Sequence, residues 1–303
     1  MEWADLKRLH ILIQQTKALG ADVEEIGVSG EGRPIYAVTV GNEQATHTVV
    51  IVAGLHATEV IGPLTAISIL QTLLESPPTA MRCCIVPVAD PDFVSQNASE
   101  LPTDVTLHAL LNLNHQRDLE GHFTTDTYPE CVIIRQWLQR FDRIDAYFSL
   151  HSAHCISPGL FFYVSNRSNL SWVTQVASQV AAETPDWISL LLQDPTGLSQ
   201  KSLAPGFFEL EICKREKLNA SASVNSLAFV TQRFQPQYVG VSEMPLAICA
   251  ALAEASLAKI DQCNRDVKQT GQTDYLFQEI ELDIQLRIMT SWIGSVIDIA
   301  VST

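Results

Sequence analysis

The stretch VVIVAGLHATEVIGP, residues 49–63, places His56 and Glu59 just past an apolar, β-branched run that ends at Gly54. Imidazoles and a carboxylate are the donors that hold zinc in hydrolases, where three protein ligands leave a fourth position for water. The i, i+3 spacing puts both side chains on one side of a first helical turn if the helix begins at or just after His56. Taken alone the pair also reads as a surface histidine beside a helix-start glutamate, which the helix dipole favours. A third donor changes the balance. His151 ends the apolar run DAYFSLH, and in open α/β sheets ligands gather outside the carboxyl ends of strands. His154, three residues further on, is its rival, while His108, His115 and His122 read as ordinary loop histidines.

Such a centre needs a general base near the ion but not on it. Glu243, in YVGVSEMP, stands at another strand end just ahead of an expected helix. Glu209 and Glu211 in GFFELEICK compete, because alternation along a strand sends one of them off the sheet.

The elements that must position these groups follow from hydrophobic period. Residues 1–20 read as an amphipathic helix ended by Gly20. VEEIGVSGEGRPIYAVTVG reads as two strands around a tight turn, and THTVVIVAG as a strand buried on both faces. TEVIGPLTAISILQTLLES has helical spacing, and MRCCIVPVADPDF is a buried strand running into a Pro and Asp loop. After a polar region come a helix near PECVIIRQWLQRF, strands IDAYFSLHS and GLFFYVS, and a helix around NLSWVTQVASQVAAE. QPQYVGVSEMP then predicts a strand that opens directly into the helix LAICAALAEASLAKI. Strands alternating with helices predict an α/β fold, a mixed and largely parallel central sheet with helices on both faces. We expect one catalytic domain over residues 1–263 and an extension over 264–303 of unassigned role.

At 303 residues with 47% apolar and 17% charged residues, the chain is an ordinary folded protein rather than a disordered or fibrous one. A formal charge of −15 argues against nucleic acid as a partner, since phosphate neutralisation needs a basic surface. The N-terminus lacks the pattern of a secretory signal, and IMTSWIGSVIDIAV is too short and too interrupted to span a bilayer. Seven cysteines without a C-x-x-C pair suit reduced thiols in a cytoplasmic protein. Glycosylation tripeptides at Asn97, Asn166, Asn169 and Asn219 carry no weight without a secretion signal.

In chain order these segments resemble the zinc carboxypeptidases, the funnelin-type metallocarboxypeptidases, from about residue 25 to 258. IGVSGEGRPIYAVTVG is similar to their opening strand pair, AGLHATE to their H-x-x-E motif, and VPVADPDF to a P-x-x-N-P-D-G loop with Ala89, Asp90 and Phe93 departing from it. NLNHQRD resembles a substrate-anchoring D-x-N-R-N segment, TYPE a common helix start, SLHS the third-ligand strand, and YVGVSEMP the strand of the catalytic glutamate. The resemblance implies Zn2+ held by His56, Glu59 and His151, Glu243 as base, and Asn114, His115 and Arg117 at the substrate. His115 stands where the family grips a terminal carboxylate with arginine, and no arginine lies between Asp92 and Asn114 for the oxyanion. The longer interval to Glu243 is expected around ELEICKREKLNASAS. The implied activity is hydrolysis of a peptide or amide bond. The alternatives are deacylation of acyl-amino acids, as in the succinylglutamate desuccinylase and aspartoacylase branch, or a binding protein that keeps the fold without the activity. Oligomeric state is not encoded in any motif.

Overall fold

The computed structural model describes residues 1–42, 44–152, 155–166, 170–199, 201–212 and 223–302. A 3₁₀ turn over Trp3–Arg8 leads into α1 (Leu9–Ala18), whose Leu9, Leu12, Ile13 and Thr16 are buried at helical spacing. Gly20, at φ +103°, ends it. Strands β1 (Asp22–Val28) and β2 (Pro34–Gly41) form the expected antiparallel hairpin. Next come β3 (His47–Ala53), α2 (Ile61–Glu75), β4 (Met81–Val86), α3 (Pro91–Glu100), α4 (Leu107–Leu111) and α5 (Pro129–Leu138). The middle of the chain holds β5 (Ala146–His151), β6 (Ile156–Ser157), β7 (Phe161–Ser165), α6 (Val173–Glu183), β8 (Ser202–Ala204) and β9 (Phe207–Leu210). It closes with α7 (Ser226–Phe234), β10 (Tyr238–Glu243), β11 (Ala247–Ile248), α8 (Leu257–Thr270), β12 (Gln278–Glu279) and α9 (Leu282–Ser302).

Among the described residues the main sheet has nine strands in the order β1-β2-β4-β3-β5-β10-β7-β9-β8. Its centre, β4-β3-β5-β10, is parallel, and antiparallel pairs flank it. Alternation along the central strands feeds two cores. Val49, Ile51, Phe148 and Leu150 join α1, α2, α6 and α9 on one face. Val50, Val52, Tyr147 and Val239 join α5 and α7 on the other. The mixed sheet with helices on both faces is therefore the observed architecture. β3 connects outward to β4, whereas β5 lies on its opposite side, so the strand order reverses between β3 and β5. That reversal opens a crevice at the carboxyl ends of the two strands.

Three local expectations are corrected. The helix after β3 begins at Ile61 rather than near His56, because Pro63 cannot donate to the carbonyl of residue 59 and is accommodated only in a first turn. PDFVSQNASE forms α3 instead of a loop, with the Asp90 side chain accepting from the Phe93 N–H at 3.2 Å. No helix follows Glu243 directly. Ala247–Ile248 pairs with β6 and β12, and the helix starts at Leu257.

Residues 264–303 contribute the rest of α8, which runs across position 263, and α9. At 21 residues α9 is longer than its sequence pattern predicts, and it is long and apolar enough to cross a membrane by those measures alone. However, 56% of that window is buried within the protein. The fully buried Trp292 of α9 sits edge-on to Phe148 and lies so close to Gly240 that a Cβ there would come within 2.7 Å of the indole.

Candidate metal centre at the carboxyl ends of the central strands

His56 and Glu59 occupy a turn between β3 and α2, closed by the Glu59 N–H donating to the His56 carbonyl at 3.0 Å. Gly62 lets α2 start tight against β5, since a Cβ there would approach the Leu150 carbonyl oxygen to 2.8 Å. The next residue on β5 is His151. Its backbone N–H donates to Ser242 Oγ at 2.9 Å, which ties β5 to β10 just before Glu243. One ligand atom from each of His56, Glu59 and His151 falls within 4.8 Å of the others. Glu59 Oε1 lies 3.0 Å from His56 Nδ1, and its Oε2 lies 2.8 Å from His151 Nδ1. The Ser152 N–H donates to the same Oε2 at 3.1 Å.

The far nitrogen of each ring also faces a carboxylate. His56 Nε2 is 3.5 Å from Asp118 Oδ1, and His151 Nε2 is 3.2 Å from Glu120 Oε1 and 2.8 Å from Ser149 Oγ. Glu120 is held in turn by the Ser226 hydroxyl at 2.7 Å and backbone N–H at 2.6 Å. With both nitrogens of His151 on carboxylates, the ring is an imidazolium. Burial opposes its charge, but Glu59 and Glu120 overcome that and raise its pKa well above the ordinary value. His56 shifts up by the same balance of burial against Glu59. Burial pushes the Glu59 carboxyl up, yet the two histidines draw it down to about 2. Glu120 likewise ends below the usual range despite burial, because of His151 and Ser226.

This donor set fits a zinc-type divalent ion: two imidazole nitrogens and a carboxylate converge, and each ring is oriented from behind by an acid. Glu243 pairs in register with His151 across β10 and β5, so their side chains leave the same face of the sheet. Its Oε2 is buried and has no hydrogen-bond partner. Burial, reinforced by Glu59, Asp194 and Glu120 and only partly offset by His151, raises its pKa to about 8.

The other candidates lie elsewhere. Glu209 pairs with Lys201 at the sheet edge, at 2.5 Å, and Glu211 is exposed. His108 contacts Asn112, and His122 packs edge-on to Tyr128. His154 lies outside the described residues, as does 213–222 within the segment expected to carry the extra length. A cleft of about 370 Å³ borders Glu59 and is lined by Asn114 and Gln116, but not by His115 or Arg117. His115 Nε2 is 2.7 Å from Glu100 Oε1. Arg117 donates two bonds to Asp90, both 2.8 Å, and one to Glu130 at 2.7 Å, while lying between the rings of Phe93 and Tyr128. Its Nε and Nη2 groups are thus engaged with the scaffold.

Sequence reasoning missed four supporting residues. Ser149 precedes His151 by the strand period, which was a usable signal. Asp118 and Glu120 had none. The fully buried Asn97 donates to the carbonyls of Ala57 and His115, at 2.9 and 2.8 Å, and so fastens the His56–Glu59 turn to the 112–117 segment.

Residues 12–95 match the sequence model of the zinc carboxypeptidase family, a span that includes His56 and Glu59. No curated protein matches the sequence. Among solved structures the fold is similar to carboxypeptidase A from Helicoverpa armigera, with 15% identity and TM-score 0.61 over 97% of this chain and 72% of that one. A metallo-carboxypeptidase from Burkholderia cenocepacia gives 14% identity and TM-score 0.59 over 97% and 68%. An inferred metallopeptidase from Shewanella amazonensis gives 13% and 0.61 over 98% and 94%. The chain therefore has a carboxypeptidase A-like fold and carries the zinc carboxypeptidase signature in its N-terminal third.

Proposed function

We propose that this chain is a zinc-dependent hydrolase of peptide or amide bonds, with His56, Glu59 and His151 as metal ligands and Glu243 as general base. The observation that carries the reading is the convergence of those three side chains at the strand-order reversal, with Glu243 in register beside His151. A divalent ion held there supplies Lewis acidity for an amide carbonyl and for water. The chain's own residues do the remainder. Asp118 and Glu120 fix the ring orientations through the far nitrogens. Asn114, in the cleft beside Glu59, holds the substrate's polar backbone. Glu243 takes the proton of the attacking water at its carboxylate and delivers it to the departing amine nitrogen. A carboxyl with pKa near 8 is well matched to accepting and returning a proton near neutrality. The six described cysteines are all free, in keeping with a cytoplasmic setting.

The test pairs metal content after chelator-free purification with turnover on a panel of peptides and acyl-amino acids. Glu243→Gln is expected to keep one equivalent of metal and lose about 10²–10⁴ in turnover. A protein that takes up no divalent ion, or a variant as active as the parent, sinks the reading. The engagement of His115 and Arg117 favours a second reading, a binding protein that retains fold and metal; metal with no turnover on the panel supports it. Selective turnover of acyl-amino acids over peptides would instead indicate a deacylase.

A further inference from the structure

A second cavity lies apart from the metal centre, between the first helical segment of the chain and the β4–α3 connection. It holds about 340 Å³, within the range of small-molecule sites, and shares no lining residue with the cleft beside Glu59. Leu6, Leu9 and Ile13 form one wall, and Val88 and Val94 form another. All five are buried. Both walls are fixed in place. Lys7 Nζ reaches from the 3₁₀ turn to the Leu101 carbonyl at 2.8 Å, just beyond α3, and the Ala89 N–H behind Val88 donates to the Ala53 carbonyl of β3 at 2.8 Å.

The polar groups around this apolar space are of one kind. Lys7, His10 and Arg33 line it, and none of its described lining residues is acidic, in a protein of net charge −15. The Lys7 ammonium meets only a carbonyl among the described residues. Arg33 Nη1 is taken by Glu31 and Asp92, at 2.6 and 3.1 Å, whereas its Nε and Nη2 make no hydrogen bond among the described residues. The hydroxyl of the half-buried Tyr36, also in the lining, likewise has no partner there. Donors without acceptors beside buried apolar walls call for an occupant with an apolar body and an anionic head.

We propose that this cavity is a binding site for a small amphipathic carboxylate, with its apolar body between the two walls and its carboxylate at Lys7 and Arg33. Burial of the alkyl or aryl portion supplies most of the affinity, and charge-assisted bonds from the two cations select the acid over its amide. The site stands independently of the metal centre. Two sources share this chemistry, a free fatty or aryl acid and an apolar residue at the carboxyl terminus of a peptide.

Calorimetry on the full-length protein, with octanoate, octanamide, butyrate and N-acetyl-leucyl-leucine as probes, tests the proposal. Each methylene removed from water is worth about fourfold in affinity, so octanoate should bind at least tenfold tighter than butyrate. It should also bind at least fivefold tighter than octanamide. The tighter of octanoate and the dipeptide acid identifies the source. Because carboxylates also ligate zinc, the position is read from variants outside the metal centre. Lys7→Gln should reduce the preference for acid over amide at least threefold. Ser95→Trp, at the exposed edge of the cavity, should fill it and weaken octanoate at least tenfold, with circular dichroism confirming the fold. Lys17→Gln, on α1 but outside the lining, should change nothing. Octanoate affinity should be the same with and without added zinc. Equal affinity for octanoate and octanamide overturns the site, as does butyrate bound as tightly as octanoate, or octanoate binding unaltered in both Lys7→Gln and Ser95→Trp. Affinity that depends on zinc would place the acid at the metal centre and overturn it too, whereas a protein that takes up no zinc yet binds octanoate here would sink the hydrolase alone.

Discussion

Two charge clusters lie within this fold, and they are built on different cations. In one, Arg117 gathers Asp90, Asp92 and Glu130, all three with side chains at most 1% exposed. Ser29 and the Glu31 N–H complete Asp92, and Arg33 adds a second guanidinium at 3.1 Å. In the other, His56 and His151 gather Glu59, Asp118 and Glu120. A guanidinium keeps its proton throughout the accessible pH range, so the first cluster is a fixed junction joining the β1–β2 turn, α3 and α5. An imidazolium can surrender its proton, and the same carboxylates then face two neutral nitrogen donors. The difference teaches which cluster is open to exchange. One cation is part of the scaffold, and the other marks a position that a divalent ion can take.

The largest effect should come from the fixed junction. Arg117→Met leaves three buried carboxylates with reduced compensation, and loss of one partner from a buried ion cluster typically costs about 3–5 kcal/mol. Urea unfolding should register that loss, and it should stay nearly constant between pH 6 and 9 because no member on the cationic side titrates there. A loss below 1 kcal/mol would show that the junction is not structural, and would return Arg117 to consideration as a substrate contact.

At the exchangeable cluster, Glu243→Gln should stabilise the metal-free protein. A carboxyl raised to about 8 holds its proton in the folded state while the unfolded chain releases it near 4.5. The folded state then binds more protons across that window, so parental stability falls as pH rises through it and levels off above 8. Glutamine is neutral throughout. Its advantage should be absent below pH 4.5 and reach roughly 2–4 kcal/mol at pH 8.5, each pKa unit being worth about 1.4 kcal/mol. Thermal melts in chelator at pH 5 and pH 8.5 check this. An equal gain at both values would mean that desolvation of the charge is not the cause.

How legible each cluster was follows from how local its signals are. His56, Glu59, His151 and Glu243 each end or follow an apolar strand, and a strand's exit is readable from a few neighbouring residues. The parallel centre of the sheet was legible for the same reason. The role of Arg117 was not, because its partners Asp90 and Glu130 come from separate segments and only packing brings them together. The helix expected over residues 246–260 in fact runs from Leu257 to Thr270, so Arg265 and Lys268, expected in an extension of unassigned role, line the cleft beside Glu59. Asn97, seen in the sequence only as a glycosylation tripeptide, is a fully buried clamp.

The orienting acids offer a smaller effect. Glu120→Ala removes the partner of His151 Nε2 and should weaken metal binding about 10–100-fold, the usual range for such outer contacts. Competition with a chromophoric chelator measures it, with circular dichroism confirming that the variant is folded. Affinity within twofold of the parent would mean that Ser149 alone orients the ring.

The smallest expected effect separates the clusters most directly, because it reads the exchange itself. In the metal-free protein both histidine pKa values are raised, that of His151 well above 6.5, so at pH 7 the His151 ring carries a proton on Nδ1 as well as on Nε2. An ion arriving on the Nδ1 side must displace the first and can leave the second on Glu120. Each displaced proton makes apparent affinity rise about tenfold, or about 1.4 kcal/mol, per pH unit until the pH passes the raised His151 value. Calorimetric zinc titrations at pH 7 in two buffers of different ionisation enthalpy should therefore report release of about one proton or more. Repeating them at pH 6 should give weaker binding. The Arg117→Met variant, if folded, should release the same number, since its cluster takes no part in the exchange. Zinc binding with no proton release would mean that the ion avoids the His151 nitrogen facing Glu59, and the distinction between a fixed and an exchangeable cation would fall with it.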